Sequence, residues 1–119
     1  MSEEAPAIAG IAALAIDCAD PPALARWWGR LLGGSVEVDA HGVVTLRTPA
    51  GLAIDFARVP EPKAVKNRLH LDPRTSDLAA ATEQAVALGA TRADDVYDGG
   101  GWQVLRDPEG NEFCLLRPR

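Results

Sequence analysis

The chain has 119 residues, 47% of them hydrophobic, with a formal net charge of -5. That length suits one domain, and that hydrophobic share is too high for disorder. Scattered Lys and Arg on an acidic chain exclude the clustered basic surface that nucleic acid needs, and no apolar run reaches the ~18 residues of a membrane span.

Met1 to Ala7 reads as a loose tail. The start, "MSEEAPAIAG", is acidic and lacks the basic end of a signal peptide, so a cytoplasmic location is expected. Ile8–Cys18 is an apolar run that reads as a buried strand. Asp20 then offers a helix N-cap, and Pro21 and Pro22 suit a first helical turn. Leu24, Trp27, Trp28, Leu31 and Leu32 form one apolar helical stripe. One tryptophan is expected in the core and the other at the stripe's edge or at a subunit interface. Gly33–Gly34 closes the helix. Strands are expected at Ser35–Asp39, Val43–Thr48 and Leu52–Arg58, joined by the turns "AHG" and "TPAG". Val59–Asn67 reads as a linker, because two prolines and two lysines interrupt any pattern.

The second half repeats this order. Arg68–Asp72 reads as a strand, and Ser76 or Asp77 caps a helix with Leu78, Ala81, Ala85 and Leu88 on one face. Gly89 closes that helix, and strands follow at Thr91–Val96, Trp102–Arg106 and Asn111–Leu116. "LRTPAGLAIDF" (Leu46–Phe56) aligns with "LRDPEGNEFCL" (Leu105–Leu115). The chain is therefore an internal duplication, with βαβββ modules at about 8–59 and 67–118 joined by the linker 59–67.

Strand alternation sorts the side chains into faces. Leu52, Ile54 and Phe56 share the face that packs on a helix, and so do Phe113 and Leu115. The opposite face carries Asp55, His70, Glu112 and Cys114, with Trp102 and Arg106 on the same side and Arg47 by the internal match. Such a mixture fits a partly enclosed pocket for a small-molecule ligand. Trp102 is a candidate apolar wall, with packing under the loop "DGGG" as the plain alternative. Arg47 and Arg106 are candidates to hold an anionic group, and a surface ion pair is the simpler reading of each. Glu112 and Cys114 complete the ligand-binding candidates. Cys18 and Cys114 are expected as free thiols, Cys18 in the core, and His41 reads as solvated.

Two such modules, a helix ending "LLGG" and the segment "DPEGNEF" resemble the vicinal oxygen chelate superfamily of glyoxalases, bleomycin resistance proteins and dioxygenases. "VPEPKAVKNRLHLDP" is most similar to small actinobacterial glyoxalase-like proteins. The resemblance implies an α+β fold: a curved mixed sheet with helices on its convex face and a ligand cup on the other. It also implies a homodimer. The superfamily's four metal-ligand positions fall at Ala13, Asp55, His70 and Cys114. Ala13 has no donor atom and Cys114 is not the usual carboxylate, so glyoxalase I activity is not expected.

Three readings follow from these residues. Asp55, His70 and Cys114 can form a metal site for a divalent zinc, iron, nickel or manganese ion. His70 and Asp55 can instead form a metal-free acid–base pair for isomerase- or lyase-type chemistry. The cup can also simply sequester a drug or metabolite. The plain reading of His70 is a partly buried histidine bonded to Asp72 or Asp55.

Overall fold

The computed structural model describes residues 7–95 and 101–119. Its elements in chain order are β1 (Leu14–Cys18), α1 (Pro21–Leu32), β2 (Ser35–Val38), β3 (Val44–Arg47), β4 (Ala53–Arg58), α2 (Leu78–Leu88), β5 (Thr91–Arg92), β6 (Trp102–Arg106) and β7 (Glu112–Leu116). Residues 1–6 of the expected tail, Val96 of an expected strand and 98–100 of the glycine loop lie outside the described residues.

The helices start and stop where side-chain chemistry directs. The Asp20 carboxylate accepts from the Ala23 N–H at the start of α1, and Asp77 accepts from Ala80 at the start of α2. Gly89 caps α2 in the left-handed conformation. Gly34 has a φ of 105°, and a Cβ there would stand 2.0 Å from the Arg47 carbonyl oxygen. Only glycine lets the chain leave α1 and turn straight into β2 against β3.

The strands form a four-stranded sheet in the order β1-β4-β3-β2 and a three-stranded sheet in the order β5-β6-β7. β1 runs parallel to β4, and the other pairs are antiparallel. The expected strand Arg68–Asp72 is not a regular strand. The chain beyond it lies along β7, with Cys114 N–H donating to the Leu71 carbonyl, Leu116 N–H to the Pro73 carbonyl, and Thr75 N–H to Leu116. Pro73 has no N–H to donate, so this ladder is reduced to a single parallel bridge between Arg74 and Leu116. The stretch stands beside β7 as β1 stands beside β4, and the duplication survives in space.

The core lies between the sheets and the two helices. Trp28, Leu46, Ile54, Phe56, Leu105 and Phe113 are fully buried in it. Trp27 and Trp28 are both buried, at 7% and 1% exposure, so neither is the exposed edge residue the stripe suggested. Their indole N–H groups reach different partners, Leu88 O for Trp27 and Asp107 Oδ2 for Trp28. Phe113 meets both edge-on, with ring centroids 5.8 and 4.8 Å away. Each such contact contributes on the order of 1 kcal/mol beyond area burial, and together they tie α1 to β7 across the module boundary.

Candidate functional site

β1 pairs with β4 on one side only, and the stretch 67–71 does not close onto its other edge. Between them opens a cleft of about 380 Å³. Ala13 to Ile16 form one wall, Leu69 to Leu71 the other, and Trp28 and Phe113 line it as well. The two alanines, Ala13 and Ala15, leave the space that larger side chains would fill. The polar groups of the cleft are Asn67, His70, Asn111 and Glu112. A mainly apolar hollow of this size with a few converging polar groups is the usual form of a small-molecule site.

His70 Nδ1 lies 2.6 Å from Asp72 Oδ1, and 29% of the histidine side chain is exposed. An ionised carboxylate can only accept, so Nδ1 carries the proton and donates to Asp72. Glu112 is 5% exposed yet fully satisfied. Lys63 Nζ approaches its two oxygens at 3.1 and 3.2 Å, and the Asn67 backbone N–H donates to Oε1 at 2.7 Å. The Asn67 amide also donates to the Glu112 carbonyl oxygen, and Arg106 Nε stands 3.5 Å from Oε2. Burial alone would raise the Glu112 pKa, but the Asn67 N–H and the Lys63 ammonium outweigh it and hold the carboxyl below its usual value. Glu112 thus straps the linker to β7 and fixes the mouth of the cleft.

The turn "DPEGN" supports the same wall. Asp107 is buried and accepts from Trp28 Nε1, from the backbone N–H groups of Glu109 and Asn111, and from the Asn111 amide. Burial pushes its carboxyl above the ordinary aspartate value despite these bonds. Glu109 accepts from the N–H groups of Ala19 and Asp20, at 2.6 and 2.9 Å, just before α1. The segment read from sequence as a family signature is therefore also the clamp between modules.

The structure scatters the other candidate residues. Asp55 accepts from the hydroxyl of Thr45, its cross-strand partner. Cys114 is buried with Ala93 and Val104, and burial, with the nearby Asp72 charge, pushes its thiol up to about 11. Neither lines the cleft. Arg47 pairs with Glu37 on the surface, and Arg106 forms a two-pronged pair with Asp95. Trp102 stands with Arg92 and the first turns of α2, beside a different hollow. Of the four superfamily ligand positions, only Ala13 and His70 face the cleft.

Among the described residues, no three His, Cys, Asp or Glu side chains are placed to share a metal ion. Asp55, His70 and Cys114 do not converge, Asp55 and His70 are bonded to Thr45 and Asp72, and the Cys114 thiol resists ionisation. This donor set does not fit a metal of the superfamily kind. Sequence reasoning missed Asn67, Asn111, Lys63 and Asp107. The Asp-Pro-x-Gly-Asn order pointed to Asp107, because an aspartate opening a turn gathers the N–H groups that follow it. Nothing in the linker marked Lys63 or Asn67.

The fold is that of a duplicated protein with a cleft between its halves. The chain belongs to the glyoxalase-like domain family, whose model matches residues 13–116. No curated protein matches the sequence. Among solved structures, it is similar to a glyoxalase/bleomycin resistance protein/dioxygenase family enzyme from Burkholderia phytofirmans: 19% identity and a TM-score of 0.72 over 91% of this chain and 98% of that one. An integron cassette protein from the mobile metagenome of V. cholerae gives 18% identity and 0.67 over 96% and 98%. The fosfomycin resistance protein FosX of Listeria monocytogenes, complexed with Mn(II) and sulfate, gives 14% identity and 0.75 over 94% and 92%. At these identities the likeness is one of fold. No described helix is long and apolar enough to cross a membrane.

Proposed function

We propose that this chain binds a compact, largely apolar organic molecule in the cleft between β1 and the 67–71 stretch, without a metal. The observation that carries this reading is the cleft of about 380 Å³, whose apolar walls meet His70 and Glu112 on one side. Leu14, Ile16, Leu69 and Phe113 desolvate the body of the ligand, and Asn67 and His70 orient its polar group. The Asp55 carboxylate, bonded to Thr45, and the buried Cys114 thiol, neither of them in the cleft, favour this over a metal-dependent reaction.

A second reading is favoured by the His70–Asp72 pair. A histidine fixed by a carboxylate at Nδ1 can take a proton at one carbon of a carbonyl compound and return it at another. That is isomerase-type chemistry and consumes nothing else.

The test is a small-molecule screen by tryptophan fluorescence and calorimetry, on the full chain and on Ala15→Trp. Ala15 lines the cleft and is exposed, so the larger side chain fills the hollow without disturbing the core. Ligands that bind the wild type should lose about tenfold or more in affinity in Ala15→Trp. Equal affinity for the two proteins would sink the cleft as the site. A ligand recovered unchanged marks a binding protein. Conversion that is lost in His70→Ala marks the isomerase.

A further inference from the structure

Apart from the cleft there is a second hollow, of about 410 Å³, which shares no lining residue with it. Leu24, Trp27 and Pro108 give it apolar walls, and Arg26 and Arg30 stand on its rim. Two arginines four residues apart share one helix face, where like charges repel. Arg30, in the last turn, also complements the negative end of the helix, which accounts for that residue alone. No hydrogen bond or ion pair joins either arginine to another described residue.

Two acids, Asp20 and Glu109, line the same hollow, but their carboxylates are engaged by backbone N–H groups rather than by these arginines. Glu109 gives its two carboxylate oxygens to the N–H groups of Ala19 and Asp20, and Asp20 caps α1 through Ala23. Among the described residues, the two guanidinium groups thus have no hydrogen-bonded or ion-paired carboxylate, although Asp20 and Glu109 share the hollow with them. Guanidinium forks bind carboxylate and phosphate oxygens in pairs, and more strongly beside apolar surface than in open water.

We infer that this hollow is a binding site for a small amphipathic anion: a carboxylate or phosphate head held by Arg26 and Arg30, with a flat apolar body against Trp27 and Pro108. The site is separate from the cleft and does not depend on it.

Naphthoate, naphthyl phosphate and the uncharged naphthamide are titrated into the full chain. Calorimetry gives affinity, and the indole N–H signal of Trp27 in an NMR spectrum gives location. The expected result is saturable binding of at least one anion, with a shift of the Trp27 signal. It should weaken about tenfold or more in the double variant Arg26→Gln, Arg30→Gln, and stay unchanged in Ala15→Trp. Both arginines are exposed, so the double variant keeps its fold, which its melting curve checks. The inference is overturned if naphthamide binds as tightly as the anions, or if the double variant binds as well as the wild type. It is equally overturned if neither anion saturates by about 10 mM. Binding of one anion alone identifies the head group.

Discussion

Leu46–Phe56 and Leu105–Leu115 are two hairpins with one register. Leu46 faces Ile54 and Arg47 faces Ala53 in the first, while Leu105 faces Phe113 and Arg106 faces Glu112 in the second. Their apolar positions match, and their polar ones do not. The first hairpin has Thr48, Ala50, Leu52 and Ala53 where the second has Asp107, Glu109, Asn111 and Glu112. Thr48 serves its own turn, accepting from the Leu52 N–H. The second set reaches outward, to Trp28, to the chain before α1, and to the linker. The duplicated backbone therefore builds two equal frames, and the divergent polar residues of one frame join the halves and shape the cleft.

The sharpest break in the symmetry is at the helix exits. Gly34 and Ala90 are counterparts, but a Cβ at Gly34 would collide with the Arg47 carbonyl whereas Ala90 is itself 4% exposed core. Gly34→Ala should cost about 3 kcal/mol or more, enough to unfold much of the protein at room temperature. Ala90→Gly should cost about 1 kcal/mol. Urea unfolding of both variants decides it, and equal midpoints would refute the steric argument.

The turn residues come next. Asp107→Ala leaves the Trp28 indole N–H buried without an acceptor and should cost about 3 kcal/mol, against about 1 kcal/mol or less for Thr48→Ala. The pH dependence has a definite sign. Burial holds the Asp107 pKa above its unfolded value, so its contribution is most favourable at low pH and fades as pH rises through the folded value. Asp107→Asn keeps an acceptor for Trp28 and should remove that dependence. An unaltered pH profile in this variant would show that the carboxylate is not the source.

Glu112 carries the opposite sign. Its folded pKa is lowered, so its stabilisation is present above the ordinary glutamate value and is lost as pH falls through the folded one. Glu112→Gln should cost about 2 kcal/mol at neutral pH, because Lys63 and the Asn67 N–H lose a charged acceptor. The deficit should shrink as pH falls through the lowered folded value and the wild-type carboxylate is protonated. A deficit of constant size across the acid range would mean that packing, not charge, sets the effect.

The parts legible in the sequence were those fixed by local rules. Helix caps at Asp20 and Asp77, the glycine exits and strand alternation all depend on near neighbours, and they placed the nine described elements, although the expected buried strand Ile8–Cys18 is strand only over Leu14–Cys18, with Ile8 and Ile11 exposed. One expected strand, Arg68–Asp72, is not formed: it alternates like a strand, but Pro73 next to it removes the donor that a ladder needs. The candidate site was less legible because its groups are brought together by tertiary contact. His70 faces the cleft as its strand face suggested, and it is bonded to Asp72, one of the two partners its plain reading named. Asp55 and Cys114 hold homologous positions but turn to Thr45 and to a small apolar cluster. Lys63 reaches Glu112 across a linker with no periodic pattern to read.

The smallest difference concerns the paired arginines, and it tests how far an ion pair matters once the frame is fixed. Arg47 and Glu37 are more than half exposed, at 59% and 55% of their side chains. Such a pair in open solvent contributes under about 0.5 kcal/mol, so Arg47→Gln should leave the urea midpoint within error at any salt concentration. Arg106 is 30% exposed and lies against Glu112, which is 5% exposed. Arg106→Gln removes one of two cations facing a buried carboxylate, so it should lower the midpoint, and added salt should not restore the loss. Equal, salt-sensitive losses in the two variants would place Arg106 on the surface with Arg47 and leave Lys63 and Asn67 as the groups that hold Glu112.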